Sequence, residues 1–76
     1  MNSKEFMIAR IKRDMTKKDI SKILGISYNA WCVRERGNAA VTLEEAATLG
    51  RELGMSKEEW VAIFFDGKLP FRNEST

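Results

Sequence analysis

The sequence predicts a small all-helical protein built from five helices. Apolar residues recur three and four positions apart along most of the chain, which is the period of one-sided helices. No segment alternates between apolar and polar residues as a strand does, and capping residues and glycines divide the chain. The 76 residues, 43% of them apolar, suffice for one compact domain. We expect this domain at residues 1–66 and a C-terminal tail at residues 67–76.

The first helix is expected to have Ser3 as its N-cap and to run to about Asp14. Ile8 is expected to face away from the core. The apolar stripe of this helix is expected to contain Phe6, Met7, Ile11 and, just beyond the helix end, Met15.

Residues 16–37 predict two short helices joined by a tight turn. Thr16 suits the N-cap of the first helix, and Gly25 suits the left-handed position that ends it. Ser27 suits the N-cap of the second helix, Trp31 is its inward residue, and Gly37 closes it. Two short helices joined through a glycine turn are typical of a helix-turn-helix, whose second helix enters the major groove of DNA.

Two capping boxes predict the last two helices. Thr42 pairs with Glu45 at the start of one, and Ser56 pairs with Glu59 at the start of the other. The last helix is rich in aromatic residues. The inward residues of the fourth helix are expected to be Leu43, Ala46, Ala47, Leu49, Gly50 and Leu53.

A characteristic pattern of residues runs through the central stretch: Lys17, Ile20, Ser21, Leu24-Gly25-Ile26-Ser27, Trp31 and Glu35-Arg36-Gly37. In this pattern the chain resembles the phage repressor/Cro group of the xenobiotic-response-element family of helix-turn-helix proteins. The resemblance covers about the first 65 residues. It implies a compact five-helix bundle of the lambda-repressor-like DNA-binding type, with the helix-turn-helix as helices 2 and 3. The chain departs from the family at Lys17, where many members have Gln, and at Arg34, where an apolar or aromatic residue usually packs.

The resemblance also implies a structural ion pair between Arg10 and Glu35. In the phage repressors an arginine on the first helix pairs with the glutamate near the end of the recognition helix, and this chain has both residues. The alternative is that Arg10 is an exposed helix residue whose charge contributes almost nothing to stability.

By correspondence with the family, the recognition helix 27–36 reads operator DNA. Asn29 is the best base reader because its amide can form two hydrogen bonds with adenine, and Val33 can contact a thymine methyl. The loop after this helix is expected to lie along the DNA backbone, to which Gly37 and Asn38 are suited. The full set of expected DNA contacts is Lys17, Lys18, Lys22, Ser27, Tyr28, Asn29, Cys32, Val33, Arg36 and Asn38.

The charge distribution agrees with a DNA-facing half. Residues 1–38 contain nine lysines and arginines against four acidic residues, whereas residues 39–76 contain four against seven. A positive half that carries the helix-turn-helix suits the presentation of one face to phosphate. The alternative is that these charged residues simply lie on helix faces that are exposed to water.

The recognition helix also supports a rival function. Its outward side offers Tyr28, Cys32 and Val33, which is apolar for a base reader. Some small phage proteins of this fold are antirepressors or modulators that bind a partner repressor protein instead of DNA. Members of the resembled family commonly form dimers through the last helix, which implies a homodimer of this chain on DNA. The alternative is that the tail folds back and covers the aromatic residues of this helix. The candidate protein-interface residues are Tyr28, Val33, Trp60, Phe64, Phe65 and Phe71.

Composition argues against other classes of function. With no histidine and only Cys32 as a thiol, the chain offers no zinc site, no cofactor and no pair of nucleophile and base, so we expect no enzyme. No apolar run approaches the roughly 20 residues of a membrane span. The N-terminus lacks the apolar core of a signal peptide. We therefore expect a cytoplasmic protein of a bacterial host cell, without a membrane partner.

Overall fold

A computed structural model describes residues 1–65 and confirms the predicted all-helical class. The tail at 67–76, including Phe71, lies outside the described residues. None of the helices in residues 1–65 combines the length and the apolar character needed to cross a bilayer. The five helices are α1 (Ser3–Lys12), α2 (Lys17–Leu24), α3 (Tyr28–Glu35), α4 (Leu43–Glu52) and α5 (Lys57–Phe65).

A polar side chain caps the N-terminus of each helix. The caps of α2, α3 and α4 are Thr16, Ser27 and Thr42, as predicted, and each accepts a hydrogen bond from the backbone N–H three residues on. The prediction of Ser3 as the cap of α1 is wrong. Asn2 takes that place, because its side-chain oxygen accepts from the N–H of Glu5 at 3.1 Å.

A residue with left-handed backbone geometry ends each of the first four helices. The next N–H along the chain then bonds a carbonyl five residues back, as in Ile26 N–H to Ser21 O at 3.0 Å. This is the Schellman arrangement, which satisfies carbonyls that the helix itself leaves free. The left-handed residues are Asp14, Gly25, Gly37 and Gly54.

Three aromatic rings form the centre of the core. Phe6 of α1 lies 5.2 Å from Trp31 of α3 and 6.0 Å from Phe64 of α5, measured between ring centroids, and both contacts are edge-on. In addition, α2 packs against α3 and α4. The buried apolar residues are Phe6, Ala9, Ile20, Trp31, Ala46, Leu49, Leu53, Ile63 and Phe64.

The predicted core stripe of α1 is wrong in two of its members. Met7 is 39% exposed and Ile11 is 57% exposed, whereas Ala9 and Arg10 are buried. Because α3 and α5 both pack on α1, its buried residues are those between these two helices. Ile8 faces outward, as expected.

The predicted inward face of α4 is also partly wrong. Leu43 is 56% exposed, and Ala47 is exposed as well. The buried row is Ala46, Leu49 and Leu53. Successive helix positions are rotated by about 100°, so the row that contains Leu43 and Ala47 lies on a different side of α4.

Candidate nucleic-acid interface

The helices α2 and α3 pack against each other across a turn of three residues. Gly25 has φ +70° and ends α2, Ile26 packs partly buried against the core, and Ser27 caps α3. Ser21 of α2 is buried, and its hydroxyl donates to the carbonyl oxygen of Lys18 at 2.7 Å. The small, internally bonded side chain of Ser21 adds little bulk to this side of α2.

The inward face of α3 is held by a buried polar network. Arg10 donates from Nε to Oε1 of Glu35 at 3.1 Å and from Nη2 to Oε2 at 3.0 Å, so the expected ion pair is confirmed. The indole N–H of Trp31 donates to the same Oε1 at 2.9 Å. Arg10 also donates to the carbonyl oxygen of Met15 at 2.9 Å. These bonds fix which side of α3 faces the core.

The opposite side of α3 is open to solvent. Asn29, Val33 and Arg36 are spaced four and three residues apart and therefore share one helix face. Asn29 and Arg36 are exposed, and Val33 is half-buried. Ser27 and Tyr28 are also exposed, Tyr28 by 51%. The structure therefore places Asn29, Val33 and Arg36 on one side of α3 that solvent reaches.

Tyr28 and Cys32 are neighbours one helical turn apart on α3. Hydrogen bonding to the Cys32 thiol raises the pKa of the Tyr28 phenol above its usual value. Cys32 is half-buried and is a free thiol.

The helix α2, which packs against α3, carries three lysines. Lys18 and Lys22 are exposed and Lys17 is half-buried. None of the three forms an ion pair with a carboxylate of residues 1–65.

Hydrogen bonds from the backbone N–H and the hydroxyl of Thr16 lower the pKa of Asp19, and the charge of Lys22 adds to this effect. Asp19 thus completes a capping box with Thr16 that the sequence analysis missed.

Three arginines of the basic half are occupied by contacts within the protein. Besides Arg10, Arg13 lies 2.9 Å from Glu59, measured from Nη2 to Oε1, and donates from Nε to the carbonyl oxygen of Leu53 at 2.7 Å. Arg34 pairs with Glu45. In residues 1–65 the cations of this half that form no ion pair are Lys4, the three lysines of α2 and Arg36, which are fewer than the residue count implies.

Glu59 and Glu45, the partners of Arg13 and Arg34, each have a lowered pKa. Hydrogen bonding to Arg13 is the main cause for Glu59 and outweighs the opposing effect of partial burial. Partial burial raises the pKa of Glu45, but hydrogen bonds from the Thr42 backbone and from Arg34 more than reverse that effect. Arg34 thus joins α3 to the capping box of α4.

Two backbone N–H groups of the loop after α3 bond to carbonyls of that helix. The N–H of Gly37 donates to the carbonyl of Arg34 at 2.9 Å, and the N–H of Asn38 donates to the carbonyl of Val33 at 3.0 Å. Both N–H groups therefore close the end of α3, and contact of this loop with the DNA backbone stays a prediction. The side chain of Asn38 is exposed and remains a candidate contact.

The aromatic residues of α5 divide between core and surface. Phe64 is buried against Phe6, so its place among the candidate interface residues is wrong. Trp60 and Phe65 are half-buried and lie edge to face, with their ring centroids 5.0 Å apart. Phe71 lies outside the described residues.

Comparison with protein-family models, curated proteins and solved structures gave no match for this chain. Within residues 1–65, no cluster of three or more His, Cys, Asp or Glu side chains is placed to hold a metal ion. Functional assignment rests on the contacts and chemistry of the residues described above.

Proposed function

We propose that the protein is a small phage-type transcriptional regulator that binds operator DNA through residues 27–36. In this proposal α2 and α3 act as a lambda-repressor-like helix-turn-helix. One observation carries it: α3 is anchored through buried Trp31 and Glu35 and turns Asn29, Val33 and Arg36 to solvent. A recognition helix needs this division, with a fixed inner face and an accessible outer face.

Base reading falls to two side chains on the outer face. Asn29 can pair with adenine N6 and N7, a contact that discriminates against a wrong base by about 1–3 kcal/mol. Val33 is half-buried and presents methyl groups, which suit the methyl group of thymine. An A·T-containing half-site is the expected target.

Phosphate binding falls to four cations near this face. Lys17, Lys18 and Lys22 lie on α2, and Arg36 follows the last turn of α3. If each neutralises one phosphate, the logarithm of the binding constant falls with the logarithm of salt concentration with a slope of about −3.6. These contacts supply affinity without sequence information.

Selection from a pool of random duplexes tests this proposal. We expect the wild-type protein to enrich one sequence, and an inverted repeat within it would indicate that a dimer binds. The Asn29→Ala variant should lose enrichment at an adenine position while it retains unselective binding. Glu58→Ala, which changes an exposed residue of α5, is the matched control and should select the wild-type sequence. Failure of the wild-type protein to enrich any sequence would overturn the proposal.

A second candidate function is the binding of a partner repressor protein, as an antirepressor does. The supporting observation is apolar exposure: Tyr28 on α3, together with Met7, Ile8 and Ile11 on α1, is accessible to solvent. Apolar side chains that form a contiguous exposed patch often mark protein interfaces, and these residues are the ones that such an interface would use. Tyr28→Ala should then abolish partner binding, whereas Asn29→Ala should leave it unchanged. If Asn29→Ala weakens sequence-specific DNA binding and Tyr28→Ala does not, the first proposal is favoured.

A further inference from the structure

A shallow groove of about 400 Å³ lies between α4 and the start of α5. No residue of α2 or α3 lines it, so it is distinct from the candidate DNA-binding face. Its lining consists of Ala47, Gly50, Arg51, Met55, Lys57 and Trp60.

The groove is held open by the position of Trp60. The indole N–H donates to the carbonyl oxygen of Ala46 at 2.7 Å, and the ring also packs edge-on against Phe65. Gly50 makes room for this contact, because a β-carbon there would stand 2.5 Å from Cδ1 of Trp60. The indole is therefore fixed against α4, and a ligand would find the groove already formed.

The walls of the groove suit one bulky apolar side chain. Ala47 is small and lets a ligand approach the backbone of α4, whereas the space beside Gly50 is filled by the indole of Trp60. Trp60 is of the residue type most enriched among binding hot spots, and Met55 is a flexible side chain that adapts to different shapes. The groove is open and shallow, so it fits a side chain presented by a larger molecule.

The rim of the groove is positive within a part of the chain that is otherwise acidic. Lys57 forms no ion pair with a carboxylate of residues 1–65, and Arg51 has only an exposed contact of 3.8 Å with Glu52. Exposed pairs of this kind are weak. Both cations are therefore available to carboxylates of a ligand.

We propose that this groove docks an acidic segment of a partner protein. A bulky apolar side chain of that segment inserts between Trp60 and Met55, and flanking carboxylates meet Arg51 and Lys57. A second copy of the chain fits poorly, because groove-to-groove contact would bring like charges together. The apolar floor is equally unsuited to phosphates. This proposal does not depend on DNA binding by α3.

The fluorescence of Trp60 tests the proposal on the full chain. Trp31 is fully buried in the core, so a change on ligand addition reports on Trp60. The probe is a synthetic peptide with a central Leu-Phe pair flanked by Asp and Glu, and the control peptide has Lys at the flanking positions. We expect saturable binding of the acidic peptide and at least tenfold weaker binding of the basic one.

Two variants make the test specific to the groove. Ala47→Glu places a charge in the groove and should weaken binding of the acidic peptide at least tenfold. Ala62→Glu makes the same change at an exposed position of α5 outside the groove and should bind like the wild type. Double charge reversal at Arg51 and Lys57 to Glu should shift the preference toward the basic peptide.

Three results would overturn the proposal. The first is equal binding of the two peptides, and the second is equal behaviour of Ala47→Glu and Ala62→Glu. The third is a concentration-dependent dimer in sedimentation that Ala47→Glu abolishes, because a second copy would then occupy the groove. DNA binding by the Ala47→Glu variant is measured in parallel. A loss of peptide binding can then be distinguished from a loss of DNA binding by the recognition helix.

Discussion

Arg10 of α1 and Glu35 of α3 form a buried, bidentate ion pair with hydrogen bonds of 3.1 and 3.0 Å. The Arg10 and Glu35 residues are 7% and 5% exposed, and Trp31 donates a third bond to the same carboxylate. A buried pair is stable only when its hydrogen bonds are complete, and in the described residues no buried side-chain N or O atom lacks a partner. The pair therefore sets the rotation of α3 and, with it, the outward direction of Asn29.

Removal of one member of this pair should destabilise the protein strongly. Arg10→Met leaves the Glu35 carboxylate buried without its counter-charge, and we expect a loss of about 3–5 kcal/mol in the free energy of unfolding. Urea denaturation followed by far-UV circular dichroism measures the loss. The double variant Arg10→Met/Glu35→Gln removes both charges and keeps an acceptor for Trp31. It should recover a substantial part of the lost stability, and failure to recover any would contradict the role given to the charge pair.

Because Gly50 contacts Trp60, we expect Gly50→Ala to lower the free energy of unfolding, although the same change within a helix usually raises it. Helix propensity alone favours Ala over Gly by about 1 kcal/mol. Here the new β-carbon would stand 2.5 Å from Cδ1 and 2.8 Å from Nε1 of Trp60, so we expect a loss of about 1–3 kcal/mol instead.

Denaturation of Gly50→Ala in the wild-type and Trp60→Leu backgrounds checks this origin. In the Trp60→Leu background the clash with the indole is absent, and Gly50→Ala should become neutral or stabilising. An equal loss in both backgrounds would show that the indole is not the cause.

Asp14 predicts a gain in stability on substitution by glycine. It is the one non-glycine residue of the described chain with a left-handed backbone, at φ +57°, where a side chain is strained. Asp14→Gly should raise the free energy of unfolding by about 0.5–1 kcal/mol. Asp14→Val should lower it, because a β-branched side chain tolerates this geometry least. The reverse order in thermal unfolding would contradict the described end of α1.

Acid should destabilise the protein through Glu45 and Glu59. Both have a folded-state pKa below the ordinary 4.5, so their stabilising effect is complete above that pH and is lost as pH falls through the folded values. We expect Tm to decrease as the pH is lowered beyond 4.5. In the Glu45→Gln/Glu59→Gln variant, Tm should start lower at neutral pH and change less with acid. An unchanged pH dependence would exclude these two carboxyls as its source.

The positions of the helices could be predicted from the sequence because capping is local. Thr16, Ser27 and Thr42 each bond an N–H three residues away, and Gly25 and Gly37 end helices through bonds to nearby carbonyls. These contacts depend only on neighbouring residues. The inward direction of Trp31 followed from the same short stretch.

The buried face of α1 could not be predicted in the same way. Apolar residues occur on several sides of this helix, at Phe6, Met7, Ile8, Ala9 and Ile11, so periodicity alone does not select one side. The choice is made by the helices that pack against it. Ion pairs between distant residues pose the same difficulty, since Arg13 and Glu59 are 46 residues apart in the chain.

The positions of the candidate residues on α2 and α3 followed from the sequence, whereas the charge available there followed only in part. A residue count treats every lysine and arginine alike, whereas Arg10, Arg13 and Arg34 bind carboxylates within the protein. The groove beside Trp60 left no signal in the sequence, because its lining comes from two helices and the connection between them.

Salt-dependent fluorescence anisotropy on the selected duplex tests the DNA-binding proposal most directly. We predict tight binding that weakens with salt with a slope of about −3.6, and each of Lys18→Ala and Lys22→Ala should reduce the magnitude of this slope by about 0.9. Lys57→Ala, a change on the opposite half of the chain, should leave the slope unchanged. Weak binding without sequence preference at low salt, or equal effects of all three variants, would contradict DNA recognition by α3.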